Sequence, residues 1–202
     1  MIKQIVFDCN GVLSILDFDA YITGISSDPA HGQLIMEKLW VKGSPWLEYD
    51  RGLHTKAEMV DILNAYLPEI PKEVFKTFLD GWASNLMPID GMEEIVKELC
   101  AAGYPCYLLS NFNEQFEEIR PNNPVLEAMD GEVISYHIDM LKPDREIFDH
   151  AAEKFGIDPA ETLFVDDTLV NVKGAIAAGY QAYHFTTAED FREGLRNLKV
   201  LH

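Results

Sequence analysis

The chain has 202 residues, enough for one sizeable domain or for a core domain that carries a smaller insert. Lysine and arginine number 16 against 34 aspartates and glutamates, a formal net charge of -18. Such a surface repels phosphate backbones and anionic lipid, so we expect neither nucleic acid nor a membrane as a partner. The cysteines lack zinc-type spacing and the even count of a disulfide framework, and no apolar stretch is typical of a signal peptide or a membrane span. We therefore predict a cytoplasmic protein.

Short apolar runs that are rich in β-branched and aromatic residues predict buried strands. In chain order they are IVF before Asp8, CYLL before Ser110, VISY near 135, TLFV before Asp166 and QAYHF at 181–185. Between them, apolar residues at helical spacing predict amphipathic helices. Two such sets are Met92, Ile95, Val96, Leu99 and Cys100, and Ile147, Phe148, Ala151, Ala152 and Phe155. This alternation predicts a doubly wound α/β fold, a parallel sheet covered by helices on both faces.

The segment after the first predicted strand breaks this alternation. From about Asp17 to Met87 we find no convincing strand, but apolar residues recur at helical spacing. They include Val60, Ile62, Leu63 and Tyr66, and then Val74, Phe75, Phe78, Leu79 and Trp82. We predict an all-helical cap domain at 17–87, inserted into a core domain formed by residues 1–16 and 88–202. Pro88 and Gly91 mark the end of the insert.

Polar residues follow three of the predicted strands: Asp8, Ser110 with Asn111, and Asp166 with Asp167. In an open parallel sheet the ligand site lies beyond the carboxyl ends of the strands, so we expect these side chains to share one crevice. Lys142, just before another predicted helix, can reach the same crevice. Carboxylates suit a hard cation such as Mg²⁺, an aspartate can attack phosphorus, and a lysine can stabilise the transferring group. The pattern predicts a site for a divalent metal and a phosphate.

Four segments resemble, in the right order, the four motifs of the haloacid dehalogenase-like hydrolases: FDCNGVL, LLSNFN, LKPD and LFVDDTLVNVKGAIAAG. The position of the insert resembles the branch that carries a helical cap between the first and second motifs. The resemblance covers essentially the whole chain, and four ordered motifs are far more specific than any one of them. It implies an α/β hydrolase with a capped site.

The resemblance also implies a role for each residue of the predicted site. Asp8 would be the nucleophile, Ser110 would bind the phosphoryl group, and Lys142 would steady both. The backbone carbonyl of residue 10 would bind the metal. As a set, these roles are catalysis by Asp8, Asn10 and Lys142, substrate binding by Ser110 and Asn111, and magnesium binding by Asp8, Asn10, Asp166 and Asp167. Of the last two, Asp167 is the preferred ligand.

Asn10 departs from the pattern of the family's phosphatases. They usually carry a second aspartate at this position, which protonates the leaving oxygen and later activates water. A carboxamide cannot transfer a proton at neutral pH, and loss of such an acid-base group costs about 10²–10⁴-fold in rate. The sequence therefore predicts either a weak phosphatase or a different reaction.

Three functions stay open on the sequence. The first is a Mg²⁺-dependent phosphatase acting on a small phosphate monoester, in which water or another side chain replaces the missing acid. The second is a 2-haloacid dehalogenase, since halide leaves without protonation. The third is a non-catalytic protein that binds a phosphorylated ligand. We favour the first, because the pair Asp166-Asp167 suits a metal that halide displacement does not require and because the other polar residues are kept. The sequence indicates neither the substrate nor the oligomeric state.

Overall fold

A computed structural model describes residues 1–201. Its strands, in chain order, are β1 (Gln4–Phe7), β2 (Ser14–Ile15), β3 (Met87–Pro88), β4 (Cys106–Ser110), β5 (Gly131–Ile134), β6 (Thr162–Asp166) and β7 (Gln181–His184). Five of them form one sheet with the order β5-β4-β1-β6-β7, in which every neighbouring pair is parallel. The strand order reverses at β1 and β6, where the chain returns from one half of the sheet to build the other.

The α-helices of the same residues are α1 (Phe18–Ile25), α2 (Pro29–Lys38), α3 (Pro45–Asp50), α4 (Lys56–Tyr66), α5 (Lys72–Gly81), α6 (Met92–Ala101), α7 (Phe116–Ile119), α8 (Pro124–Glu127), α9 (Ser135–Ile138), α10 (Arg145–Phe155), α11 (Leu169–Ala177) and α12 (Ala188–Asn197). Short 3-10 turns lie at Ala83–Asn85, Arg120–Asn122 and Pro159–Glu161. The predicted doubly wound α/β fold is confirmed. Within residues 1–201, no helix combines the length and the apolarity that crossing a bilayer would require.

The central strand β1 explains why both faces of the sheet are covered. Ile5 and Phe7 belong to the larger hydrophobic cluster on one face, whereas Val6 belongs to the cluster on the other face, where it joins Phe148 of α10 and Phe164 of β6. All four residues of β1 are buried. A strand that is buried on both faces needs no alternation of apolar and polar residues, which explains the continuous apolar run IVF in the sequence.

One predicted strand has different bounds in the structure. The run VISY was assigned to a strand, but β5 ends at Ile134 and Ser135 begins the short helix α9. The hydroxyl of Ser135 explains the difference, because it accepts a hydrogen bond from the backbone N–H of Phe112 at 2.9 Å and donates one to the carbonyl of Asp50 at 2.5 Å. Tertiary hydrogen bonds therefore end the strand where hydrophobicity alone would continue it.

Helices α1–α5 form a helical insert between β2 and β3. The apolar patterns at 60–66 and 74–82 fall largely on α4 and α5, which pack against each other. β2 and β3 pair at the two ends of the insert, with Ser14 opposite Pro88. The sequence analysis missed this ladder because two residues are too few to show a period. The predicted domain boundaries at 17–87 stay a prediction.

The turn after α3 packs closely against the backbone of α9. Gly52 has a φ of +80°, and a Cβ placed on it would lie 2.5 Å from the carbonyl oxygen of Tyr136. Real Cβ atoms do not approach a backbone oxygen so closely, so only glycine allows this contact. At this point the backbone of the helical insert therefore lies in direct contact with the backbone of α9.

We expect Gly52→Ala to destabilise the protein for two reasons. A side chain at positive φ costs about 1–3 kcal/mol, and the new Cβ would also overlap the Tyr136 carbonyl. Gly43→Ala is the matched control, because Gly43 has a φ of +85° but open space where a Cβ would lie. Urea unfolding should show a clearly larger loss of unfolding free energy for Gly52→Ala. Equal losses would show that the contact with α9 contributes nothing.

Candidate active site

The candidate site lies at the carboxyl ends of three neighbouring strands, β4, β1 and β6. Asp8 directly follows β1, Ser110 is the last residue of β4 and Asp166 is the last residue of β6. The parallel register pairs Phe7 with Val165, so Asp8 and Asp166 lie side by side at one level of the sheet. The strand order reverses at this position, where open α/β sheets bind their ligands.

Lys142 occupies the centre of the site. Its Nζ lies 2.9 Å from Oδ1 of Asp8 and 2.7 Å from Oδ2 of Asp166, and its side chain is fully buried. The ammonium group also lies 5.4 Å from the centre of the Phe164 ring. Burial lowers the pKa of Lys142, but the carboxylates of Asp166 and Asp8 oppose it and raise the pKa above its ordinary value. The lysine therefore carries a fixed positive charge at neutral pH.

Asn111 holds the backbone of Lys142 in place. Its Nδ2 donates to the carbonyl oxygen of Lys142 at 2.9 Å, and its Oδ1 accepts from the N–H of the same residue at 2.8 Å. Both polar atoms of the Asn111 side chain therefore bind the backbone of Lys142. The structure places Asn111 behind the lysine, and its predicted contact with substrate stays a prediction.

Three donors converge on one oxygen of Asp8. The Ser110 hydroxyl donates to Oδ1 at 2.9 Å, the backbone N–H of Cys9 donates at 2.7 Å, and Lys142 approaches the same atom. None of these three donors binds the second oxygen, Oδ2. The carboxylate is thereby fixed in orientation by one oxygen while the other is left to a ligand.

The surroundings of Asp8 also set its protonation. Burial raises the pKa of Asp8 to about 7, Lys142 opposes the rise, and the carboxylates of Asp166 and Asp167 add to it. A cation near the three carboxylates would lower this pKa, because an opposite charge favours the ionised form.

Asp166 is bonded on both oxygens. In addition to Lys142, it accepts from the backbone N–H of Thr168 at 2.8 Å and from Nδ2 of Asn171 at 3.2 Å. Asn171 is a site residue that the sequence analysis missed. The available signal was its position in the fourth motif, five residues after Asp166 on the first turns of α11. Asp166 therefore has the contacts of a group that holds Lys142.

Asp167 is exposed and faces the turn after β1. One carboxylate oxygen from each of Asp8, Asp166 and Asp167 lies within 4.8 Å of the others, so the three could hold one metal ion. Although the residue as a whole is exposed, partial desolvation of its carboxylate and the neighbouring charge of Asp166 raise the pKa of Asp167. Gly11, with a φ of +84°, lies against this carboxylate, and a Cβ there would overlap it. Glycine suits this position because of its positive φ, and any larger residue would also have to displace the Asp167 carboxylate.

Asn10 is exposed on the turn that connects β1 to β2. The turn is closed by backbone hydrogen bonds: the N–H of Gly11 donates to Ser14 at 2.7 Å, and the N–H of Leu13 donates to the carbonyl of Cys9 at 2.8 Å. Residue 10 therefore lies beside Asp8 on a short, fixed turn. The predicted roles of Asn10 in catalysis and in metal binding stay predictions.

Fold and site together define a class of protein, an α/β protein with a buried lysine and a cluster of carboxylates at the carboxyl ends of its central strands, where such folds bind their ligands. The family model of the haloacid dehalogenase-like hydrolases matches residues 2–179. The chain belongs to this family, which confirms the resemblance seen in the four motifs.

Several relatives of this chain are phosphatases. It is 27% identical over 208 aligned positions to a D-ribitol-5-phosphate phosphatase of Bacteroides thetaiotaomicron, covering 96% of this chain and 97% of the relative. It is 28% identical over 147 residues to a sesquiterpene phosphatase of Aspergillus oryzae, covering 72% of this chain and 74% of the relative. A crystal structure of a family enzyme from Bacteroides thetaiotaomicron, in complex with magnesium and inorganic phosphate, superimposes with a TM-score of 0.76 at 28% identity, covering 97% and 100% of the two chains.

Removal of the Lys142 charge is expected to destabilise the fold in a pH-dependent way. Lys142→Met leaves the buried carboxylates of Asp8 and Asp166 without their counter-charge, which typically costs about 3–5 kcal/mol. Lys142 lowers the pKa of Asp8, so its loss raises that pKa further above the ordinary value of 3.8. A carboxyl whose pKa is raised by folding costs stability as the pH rises towards the folded-state pKa. Urea unfolding should therefore show a larger loss at pH 8 than at pH 5.

Lys154→Met provides the control, because Lys154 is an exposed lysine of α10. It should change the unfolding free energy by less than about 0.5 kcal/mol at either pH. A loss for Lys142→Met that is the same at both pH values would contradict the assigned charge balance.

Proposed function

We propose that this hydrolase is a Mg²⁺-dependent phosphatase that cleaves a small phosphate monoester through an aspartyl-phosphate on Asp8. One observation carries the proposal: a hydroxyl and an ammonium group donate to one oxygen of Asp8, inside a cluster of three carboxylates. A carboxylate that is oriented in this way, with its other oxygen left to a ligand, suits attack on phosphorus. The phosphatases among the relatives support the same reading.

The carboxylates fit a magnesium ion in their chemistry. Mg²⁺ prefers oxygen ligands and is usually held by one or two carboxylates, together with water and substrate phosphate. Asp8 and Asp167 would bind it, because both oxygens of Asp166 already accept hydrogen bonds from Lys142, Thr168 and Asn171. When bound, the ion supplies positive charge that offsets the charge of the phosphate and of the carboxylates. A related structure that holds magnesium and phosphate supports the assignment.

Residues of the chain account for phosphoryl transfer in the proposed reaction. A carboxylate oxygen of Asp8 attacks phosphorus, the bond between phosphorus and the ester oxygen breaks, the phosphoryl group is transferred to the carboxylate, and the ester oxygen departs with the bonding electrons and takes a proton from water. Ser110 and Lys142, which donate to Asp8 in the structure, then donate to the phosphoryl oxygens, where charge accumulates. Asp166 keeps Lys142 in position throughout. Water hydrolyses the acyl phosphate and restores Asp8.

The helical insert would act as the cap of this site. Its buried aromatic side chains belong to the same hydrophobic cluster as one face of the sheet, so it is packed onto the sheet domain in this structure. A cap that closes over the strand ends excludes water from the reacting groups and selects the substrate.

Asn10 limits the proposed reaction at the leaving group. Its carboxamide cannot protonate the departing oxygen, so that proton has to come from water or from another group. Esters of acidic alcohols depart without such help, whereas alkyl esters need it. Phosphatase activity should therefore be greater towards aryl phosphates than towards sugar or polyol phosphates.

The proposed function is tested by a panel of phosphate esters and 2-haloacids, each assayed with Mg²⁺ and with a chelator. We expect phosphate release that depends on Mg²⁺ and no release of halide. Asp8→Asn should abolish turnover while the protein stays folded, because the amide has nearly the same shape and Asp166 remains as the counter-charge of Lys142. Halide release without metal would favour the dehalogenase reading. Undiminished phosphatase activity in Asp8→Asn would exclude Asp8 as the nucleophile.

Restoring a carboxyl at position 10 is expected to raise the rate. If proton transfer to the leaving oxygen is limiting, Asn10→Asp should accelerate hydrolysis of an alkyl phosphate by about 10²-fold or more. Hydrolysis of p-nitrophenyl phosphate should gain much less, because nitrophenolate leaves unprotonated. The ratio of the two kcat/KM values measures the effect. An equal gain for both esters would show that the substitution does not act on protonation of the leaving oxygen. No gain would show that another group supplies the proton or that proton transfer is not rate-limiting.

A further inference from the structure

A buried set of hydrogen bonds, called the seam below, joins helix α3 of the insert to the segment at the end of β4, residues 110–115. The carboxylate of Asp50, at the end of α3, accepts a hydrogen bond from Nδ2 of Asn113 at 3.0 Å. The backbone carbonyl of Asp50 accepts from the hydroxyl of Ser135 at 2.5 Å, and the same hydroxyl accepts from the N–H of Phe112 at 2.9 Å. Asp50, Asn113 and Ser135 are all buried. One residue of the insert thus binds the loop by two routes.

Gln115 closes the other end of the seam. Its Oε1 accepts from the indole N–H of Trp82 at 2.6 Å and from the Tyr49 hydroxyl at 3.3 Å. Its Nε2 donates to the carbonyl of Leu79 at 2.6 Å, and its backbone N–H donates to Oδ1 of Asn113 at 3.2 Å. The side chains of Asn113 and Gln115 therefore link into one continuous chain of hydrogen bonds that runs from the loop into the insert.

A carboxylate is a costly group at this position. Burial raises the pKa of Asp50 to about 7, although Asn113 and Trp46 donate to it and lower the pKa in part. Its donors are neutral, so no cation offsets the loss of hydration. An apolar side chain would pack at lower cost, since a buried charge without a counter-ion is strongly unfavourable. The proposed mechanism does not use Asp50, so the free-energy cost of burying its carboxylate needs another explanation.

The loop at the seam also begins the phosphoryl site. Ser110, which donates to Asp8, and Asn111, which holds Lys142, lie three and two residues before Asn113 in the chain. A displacement at Asn113 is transmitted to both through the short backbone between them. The position of the phosphoryl-binding hydroxyl is therefore linked to the seating of α3.

We propose that Asp50 is a positioning residue: its carboxylate, through Asn113, sets the 110–115 loop, and with it Ser110, for phosphoryl binding when the insert is seated on the sheet domain. The inference rests on the proposed phosphatase function for its kinetic consequence. It goes beyond that function because it assigns a role to a residue that touches neither substrate nor metal.

The inference is tested by the inhibition constant for inorganic phosphate and by amide hydrogen exchange of residues 110–116. Asp50→Ala should raise the inhibition constant roughly fivefold, the equivalent of one hydrogen bond, and should speed exchange in this segment. Asp50→Asn retains an oxygen acceptor for Asn113, so both quantities should stay within about twofold of the unsubstituted protein. Leu63→Ala, a buried substitution in α4, is the control for general destabilisation of the insert.

Two results would overturn the inference. One is a Leu63→Ala variant that changes the inhibition constant and the exchange of 110–116 as much as Asp50→Ala does, since Asp50 would then act only through stability. The other is a double variant, Asp50→Ala with Asn113→Ala, whose effects equal the sum of the two single effects. Residues that act through one hydrogen bond give a double variant no worse than the more affected single variant. If Asp50→Ala does not fold, Asn113→Ala removes the same hydrogen bond from the loop side and carries the comparison with Leu63→Ala.

The exchange measurement separates this inference from the proposed function. If the unsubstituted protein hydrolyses no phosphate ester, the phosphatase proposal fails, but exchange at 110–116 still reports whether Asp50 orders the loop. If the protein is an active phosphatase and Asp50→Ala changes neither exchange nor phosphate inhibition, the inference about Asp50 alone is wrong.

Discussion

The candidate site depends on one buried ammonium group between two carboxylates. Lys142 lies within 2.9 Å of both Asp8 and Asp166, and its side chain has no exposed surface. Neither the lysine nor the carboxylates would be tolerated there alone, because a buried charge needs a partner of opposite sign. This requirement fixes the ends of β1 and β6 relative to the segment before α10. Two amides support the arrangement: Asn111 binds the backbone of Lys142, and Asn171 binds the carboxylate of Asp166. Positive charge is thus in place before a ligand arrives, as preorganised electrostatic stabilisation requires.

The helical insert and the sheet are joined by packing as well as by hydrogen bonds. Trp82, just after α5, stacks on Phe112 of the loop that follows β4, with ring centroids 5.1 Å apart. Trp46 of α3 contacts Trp82 in turn, at 5.4 Å. This row of aromatic rings runs from the neighbourhood of the site into the insert. An insert that moved away would have to expose it to water, so hydrophobic burial favours the seated arrangement.

The turn after β1 explains how the proposed site could bind phosphate well and still release an alcohol slowly. Asp8 and Asp167 are the carboxylates assigned to the metal, and Gly11 lets the turn approach Asp167 closely. In the proposed reaction, Ser110 and Lys142 would bind the phosphoryl group, and both are in place beside Asp8. The carboxamide of Asn10 cannot donate a proton, so it would not help the leaving group depart. The departure from the family pattern therefore bears on the two proton transfers of the proposed reaction, protonation of the leaving oxygen and activation of water, and not on phosphoryl binding.

The sequence by itself determined the alternation of strands and helices, since buried parallel strands and amphipathic helices each leave a local period in hydrophobicity. It also indicated Asp8, Ser110 and Asp166 as neighbours, because parallel strands end at one edge of the sheet. Only the tertiary structure decided that Ser135 ends β5 and that Asp50 joins Asn113. These contacts form between residues whose proximity depends on how helices pack on the sheet. Hydrophobic periodicity carries no information about that packing, and polar partners far apart in the chain leave no local signal.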